Sequence, residues 1–233
     1  QSVAYLARDP VIGRLTAIKL MQPLLGYSPA QKKEYWERFL REAQAAGRLM
    51  HGNIAVIYDV GEADRSPFIA MEYIEGETLA VLLKKQFPIH FSRVIGLIRQ
   101  VLNGMQYAHE NGIIHRDIKP GNIMVTRKDV VKLVDFGIAK VDSTQITSPG
   151  HVLGTPSYMS PEQITGEKVD RRPDIFSVGV VLYQCLAGRL PFTGDHATTI
   201  VYRIVHEPYA TLDSKELELP PGMEEILQKA LKK

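Results

Sequence analysis

Within the eight residues His115-Arg116-Asp117-Ile118-Lys119-Pro120-Gly121-Asn122 the chain places a carboxylate, two cations and a carboxamide. A second carboxylate follows in Asp135-Phe136-Gly137. Groups of this kind, held together, are suited to binding and shifting charge, provided that rigid elements hold them. Read one at a time they have plainer uses: Asp and Asn are common turn residues, and Asp117 and Asn122 would serve as such.

The elements around this loop are readable. A helix is predicted from Ser92 to Glu110, with Ser92 as N-cap and Val94, Ile95, Ile98, Val101, Leu102, Met105 and Ala108 recurring at spacings of three and four. Gly112 supplies its stop. After the loop, Ile123-Met124-Val125 and Val130-Val131-Lys132-Leu133-Val134 read as two short strands leading into Asp135. Both carboxylates and the amide are thus expected at the ends of regular elements.

Toward the N-terminus, Val3 to Ala7 and Leu15 to Met21 read as antiparallel strands joined through Asp9-Pro10-Val11-Ile12-Gly13-Arg14. Ser28-Pro29-Ala30-Gln31 carries a capping box with proline at the first helical position. The helix it opens is predicted to reach Met50, with Phe39, Ala43, Ala46 and Met50 as its apolar stripe. Glu42 sits near the edge of that stripe and Lys19 inside the second strand. A strand lysine is usually a snorkelling surface side chain and a helix glutamate is usually solvated. An inward-turned Glu42 needs a cation, so the two are expected to pair. Ile54 to Gly61 and Pro67 to Tyr73 add two strands, and the pattern turns helical from Glu75 onward. The glycine and alternating charges of Glu72-Tyr73-Ile74-Glu75-Gly76-Glu77 mark the expected domain boundary.

Residues 138–158 lack periodicity and form a long loop, of a length that is uncommon unless functional. An apolar helix starting near Asp174 and closing at Gly188 follows, then two weaker amphipathic helices around Ala197 to His206 and from Met223 onward.

Composition narrows the class. The 233 residues are 45% hydrophobic, ample for a packed core. A net charge of +2 is too small to argue for a nucleic-acid or membrane partner. The single cysteine, Cys185, lies in an apolar run, which suits a small buried side chain and a reducing, cytosolic setting. No apolar stretch reaches the roughly 18 residues of a membrane span.

With His115-Arg116-Asp117, Lys119, Asn122 and Asp135-Phe136-Gly137 aligned behind Ala17-Ile18-Lys19, the chain resembles the protein kinase superfamily. Lys119, two residues after Asp117, and the run Gly154-Thr155-Pro156-Ser157-Tyr158-Met159-Ser160-Pro161-Glu162-Gln163 are similar to serine/threonine kinases of the bacterial, eukaryotic-like type. The resemblance implies an α+β, bilobal kinase fold. Residues 1–74 would be an N-terminal lobe with a small antiparallel sheet and one helix, its glycine-rich loop mostly missing. Residues 75–233 would be a larger, mainly helical lobe, its last helices missing.

The resemblance also implies roles. ATP and Mg²⁺ (or Mn²⁺) are the expected cofactors, and Ser/Thr-bearing proteins the expected substrates. Lys19 would hold the α- and β-phosphates and Glu42 would hold Lys19. Ala17 and Met124 would sandwich the adenine, Glu72 and Ile74 would offer backbone groups to its edge, and Met71 would guard the rear of the pocket. Asn122 and Asp135 would carry the metal. Asp117 would take or orient the hydroxyl proton and Lys119 would steady the γ-phosphoryl group. Thr155 would lie against Asp117 and Lys119. Arg116 would meet a phosphate on the activation loop, with Thr147 the first candidate and Ser143, Thr144 and Ser148 behind it. His115 and Phe136 are read as scaffold. A homodimer would allow trans-autophosphorylation, and the parent protein could be anchored in a membrane through a segment outside this chain.

Three departures from the family pattern stand beside this. Ser2 and Ala4 occupy positions where glycine and valine are usual, Ser160 replaces the alanine of Ala-Pro-Glu, and Pro173 precedes Asp174. The alternative they raise is a catalytically impaired, kinase-like scaffold or binding module.

Overall fold

The computed structural model describes residues 2–21, 26, 28–63, 66–136, 156–167, 170–212 and 217–233. Strands β1 (Ser2–Arg8) and β2 (Leu15–Met21) form the expected antiparallel hairpin. Its turn is held by Asp9 Oδ1, which accepts the amides of Val11 and Ile12, and by Gly13 at φ +73°. Strands β3 (Ile57–Ala63) and β4 (Ser66–Glu72) complete a four-stranded sheet in the order β1-β2-β4-β3. In its register Ala17 faces Met71 and Lys19 faces Ile69.

Helix α1 (Pro29–Ala46) begins with the predicted capping box: Ser28 Oγ accepts the Gln31 amide at 3.3 Å, and Gln31 Oε1 accepts the Ser28 amide at 2.9 Å. It stops earlier than its spacing predicted. Gly47 is the C-cap, its amide donating to Ala43 O, and Met50 is 76% exposed, so Met50 leaves the stripe while Phe39, Ala43 and Ala46 stay buried. The strand expected from Ile54 is also shorter. Ile54 and Ala55 instead run along the later strand β7 (Val131–Leu133), where Ala55 N–H donates to Leu133 O and Leu133 N–H to Asn53 O.

The helical pattern expected after Glu75 is preceded by a short strand with no periodic signal of its own. Strand β5 (Gly76–Thr78) pairs with β6 (Ile123–Thr126), which pairs with β7 (Val131–Leu133). Thr78 then caps α2 (Leu79–Gln86). Helix α3 (Phe91–Glu110) starts one residue before its expected cap: His90 is the N-cap, and Ser92 Oγ bonds His90 Nδ1 instead of an amide. Val94, Ile98, Val101, Met105 and Ala108 are buried as their spacing requires, whereas Leu102 faces solvent and Leu97 lies inside.

Beyond Ile114 the structure is mainly helical: α4 (Pro161–Thr165), α5 (Arg172–Ala187), α6 (Ala197–His206) and α7 (Met223–Ala230). Helix α5 is buried along most of its length and closes, as predicted, at Gly188 in the left-handed region with φ +67°. Burial pushes the Cys185 thiol up to about 12, which makes it a packing group and not a nucleophile. One core runs from Phe39, Ile69 and Met71 under the sheet through Leu133 and Phe136 to Val181 and Tyr183 of α5. Among the described residues no helix is long and apolar enough to cross a membrane.

Candidate active site

The loop from His115 to Asn122 leaves α3 through Gly112, whose φ of +73° turns the chain sharply. Pro120 opens a single 3₁₀ turn, Pro120–Asn122, and the residue before it, Lys119, is extended as a following proline demands. These two constraints bring Lys119 and Asn122 back onto Asp117. Lys119 Nζ donates to Asp117 Oδ2 at 2.8 Å, and Asn122 Nδ2 donates to the same oxygen at 2.9 Å and to Asp117 O at 2.8 Å. Asn122 is only 5% exposed, so its amide is fixed by packing as well as by these bonds.

His115 is buried, and burial lowers its pKa against the opposing pull of Asp174 and Asp117, so the ring is neutral. The hydrogen bonds fix its tautomer. Nε2–H donates to Val134 O at 3.0 Å, and Nδ1 accepts the Asp117 amide at 3.3 Å. Its ring leans on Phe136, with centroids 4.4 Å apart, in agreement with a scaffold role for both.

Asp174, fully buried in the first turn of α5, holds the loop from beneath. Its Oδ2 accepts the His115 amide at 2.9 Å and bonds His109 Nε2 at 2.8 Å; its Oδ1 accepts the Arg116 amide at 2.8 Å. Burial alone would raise this carboxyl, but the His109 bond and the amides of His115 and Arg116 together hold it below its ordinary value. In the sequence Asp174 stands out only as a helix start, and His109 not at all. A carboxylate inside an apolar helix was the available signal, since such a group must be paired.

Asp135 sits at φ +62°, an uncommon conformation for a non-glycine residue, and its Oδ2 lies 2.6 Å from Lys19 Nζ. That contact corrects one expectation: Lys19 pairs with Asp135 and not with Glu42. Glu42 Oε2 is buried without a hydrogen-bond partner among the described residues, in a cavity of about 150 Å³ shared with Ala46, Ile114, Arg116 and Phe136. Burial raises the Glu42 carboxyl, and the nearby Arg116, Arg38 and Arg41 cations partly oppose the rise. The reason for the exchange is local. The left-handed turn at Asp135 delivers a second carboxylate to β2, while α1 aims Glu42 at the wall formed by Arg116 and Phe136.

On the sheet side, Ala17 and Met71 are cross-strand partners, Met71 is buried, and Met124 lies half-buried at the centre of β6. The Glu72 carboxylate accepts from Lys132 Nζ at 2.8 Å and from the Val56 amide at 3.2 Å, and Ile74 lies half-buried between β4 and β5. The structure therefore unites Asp117, Lys119 and Asn122, joins Lys19 to Asp135, and leaves Glu42 with Arg116. Gly137, Ser143, Thr144, Thr147, Ser148 and Thr155 lie outside the described residues.

Sequence comparisons identify the family. The family model described as protein kinase domain matches residues 1–233. Serine/threonine-protein kinase PknB of Mycobacterium leprae is 38% identical over 238 residues, which cover 100% of this chain and 38% of that protein. PknB of Mycolicibacterium smegmatis is 38% identical over 239 residues, again 100% of this chain and 38% of its own length. Serine/threonine-protein kinase PksC of Streptomyces coelicolor is 41% identical over 240 residues, 98% of this chain and 42% of that protein. The chain thus spans well under half the length of these curated relatives.

Proposed function

We propose, on the premise that this chain belongs to the protein kinase domain family, that it transfers the γ-phosphoryl group of ATP to Ser or Thr hydroxyls of proteins. The observation that carries the reading is the Asp117 carboxylate, whose Oδ2 is held by both Lys119 and Asn122 while its own amide is held by His115. A carboxylate gripped by two donors, on a residue whose amide is also held, is placed to receive or orient a hydroxyl proton, and phosphoryl transfer asks for little more than such alignment and charge neutralisation.

The other groups fit the same reaction. With its nitrogen turned to Asp117, Asn122 has its amide oxygen left to offer a cation, and Asp135 offers a carboxylate. Two hard oxygen donors suit Mg²⁺ or Mn²⁺, ions that keep water and phosphate oxygens as further ligands. The metal, when bound, neutralises phosphate charge. Lys19 binds the α- and β-phosphates, a role in which it leaves Asp135 to the cation and becomes available to Glu42. Lys119 offsets charge on the transferring group. Ala17, Met71 and Met124 form the apolar slot for the adenine, with backbone groups of Glu72 and Ile74 at its edge. The division at residues 74 and 75 into a nucleotide-side and a substrate-side lobe belongs to this reading. So do a cytoplasmic setting, contact of Thr155 with the catalytic groups, and autophosphorylation of Thr147 between two copies, with Arg116 receiving the phosphate.

A labelled-ATP assay with Mg²⁺ and a generic protein substrate, comparing wild type with Asp117→Asn, tests this. Transfer is expected to fall by about 10²–10⁴-fold in the variant, and phosphopeptide mapping of the wild type should place label on Thr147 or its hydroxyl neighbours. Undiminished transfer by the variant would sink the mechanism, and an unmodified loop in active protein would sink the regulatory part.

A further inference from the structure

We infer that Gln163 is a positioning residue for phosphoryl transfer, acting through the peptide bond that joins Arg116 to Asp117; the inference rests on the catalytic role proposed for Asp117. Gln163 lies on α4, remote from the loop in sequence. Its side chain makes two bonds that require its two different ends. The oxygen Oε1 accepts the Ser160 amide at 3.0 Å, while Ser160 Oγ accepts the Gln163 amide at 3.4 Å, which together form a capping box on a fully buried serine. The nitrogen Nε2 donates to Arg116 O at 3.0 Å.

That carbonyl belongs to the same peptide plane as the Asp117 amide. Its N–H end is held by His115 Nδ1 at 3.3 Å and its C=O end by Gln163, so the plane from which the Asp117 side chain departs is fixed at both edges. One residue earlier, Arg116 is at φ +62°, in the left-handed region, with its amide held by Asp174. A non-glycine residue stays there only where its surroundings hold it. Asp174 holds one side of Arg116 and Gln163 the other.

The base for both grips is α5. Asp174 is part of it, and the turn before α4 is tied to it by Ser177 Oγ donating to Tyr158 O at 2.7 Å and by Tyr158 O–H donating to Gln184 Oε1 at 2.7 Å. The loop carrying Asp117 and the helix carrying Gln163 are thereby referred to one buried helix.

The cap alone does not account for glutamine. A capping box is served equally by glutamate, since only an acceptor is needed. The amide nitrogen has Arg116 O as its hydrogen-bond partner, so Gln163→Glu separates the two functions: it keeps the acceptor for Ser160 and sets an oxygen against the Arg116 carbonyl. The measurement is steady-state kinetics on the chain with labelled ATP and a generic protein substrate, with thermal melts alongside, for wild type, Gln163→Glu, the neutral isostere Gln163→Met and Asp117→Asn. The expected result for Gln163→Glu is a wild-type melting temperature, a KM for ATP within about twofold, and kcat lowered about tenfold or more, since small misplacement of a reacting group is costly. Gln163→Met, which loses both bonds, is expected to lower kcat as well and to melt earlier. A Gln163→Glu protein with wild-type kcat, in a series where Asp117→Asn is inactive, overturns the inference. Should the glutamate variant melt early, wild-type kcat in Gln163→Met at a temperature where it is folded overturns it equally. Absence of transfer by the wild type, or undiminished transfer by Asp117→Asn, is instead failure of the underlying reading and removes the inference with it.

Discussion

Keeping a carboxylate ionised is costly when one of its oxygens is buried without a hydrogen bond, and among the described residues Glu42 Oε2 finds no partner. Its pKa is raised by burial, against the opposing charges of Arg116, Arg38 and Arg41. The folded value thus lies above the ordinary 4.5, and the folded chain holds the proton more tightly than the unfolded one. This group's contribution to stability is complete below about 4.5 and is lost as pH rises through the folded value. Glu42→Gln is therefore expected to raise the melting temperature by a few degrees at neutral pH, with the gain shrinking as pH falls toward 4.5. Thermal melts across that range check it; a gain that grew on acidification would contradict the sign. At this same scale the sequence could identify Lys19 as a cation in need of a partner. It could not choose between Glu42 and Asp135, because the choice hangs on the left-handed φ of Asp135.

Elements were readable where their signals are local. The Ser28–Gln31 box starts α1, and the same Ser-x-x-Gln spacing at Ser160–Gln163 starts α4, a signal the sequence carried equally well. Gly188 ends α5 for the steric reason anticipated. Strand β5 was missed because three residues are too few for an alternation to register. Its presence depends on close backbone contact. A Cβ on Gly76 would stand 2.3 Å from Val125 O and 3.0 Å from Thr126 Cα, so Gly76→Ala cannot be accommodated without moving β5 off β6. The substitution is expected to cost about 1–3 kcal/mol, read as a fall in the urea midpoint with an unchanged slope. An unchanged midpoint would show that the strand pair yields freely.

At the scale of the whole molecule, a few polar side chains tie the sheet-bearing half to the helices. Asn53 Nδ2 donates to Gln100 Oε1 of α3 at 3.1 Å and to Val131 O of β7 at 2.9 Å, and Asn53 O accepts the Leu133 amide at 2.8 Å. Gln100 in turn accepts the Val131 amide and donates to Asp129 O, so removing the Asn53 amide leaves a half-satisfied network. Asn53→Ala is expected to cost about 1–3 kcal/mol, which in a chain of this size lowers the melting temperature by roughly 2–12 °C. Calorimetry gives the answer, and a melting temperature equal to wild type would exclude Asn53 as a tie between the halves.

The sequence by itself determined the Ser28 and Gly188 caps and the Asp117–Lys119–Asn122 cluster. All of these act over five residues or fewer, where spacing and backbone stereochemistry decide which groups meet. Only the tertiary structure decided that Lys19 meets Asp135, that Asp174 holds the Arg116 amide across 58 positions, and that Gln163 holds its carbonyl across 47. Contacts at such separations are set by how α4 and α5 pack beneath the loop, and no periodicity in the chain records which buried carboxylate or carboxamide will face it.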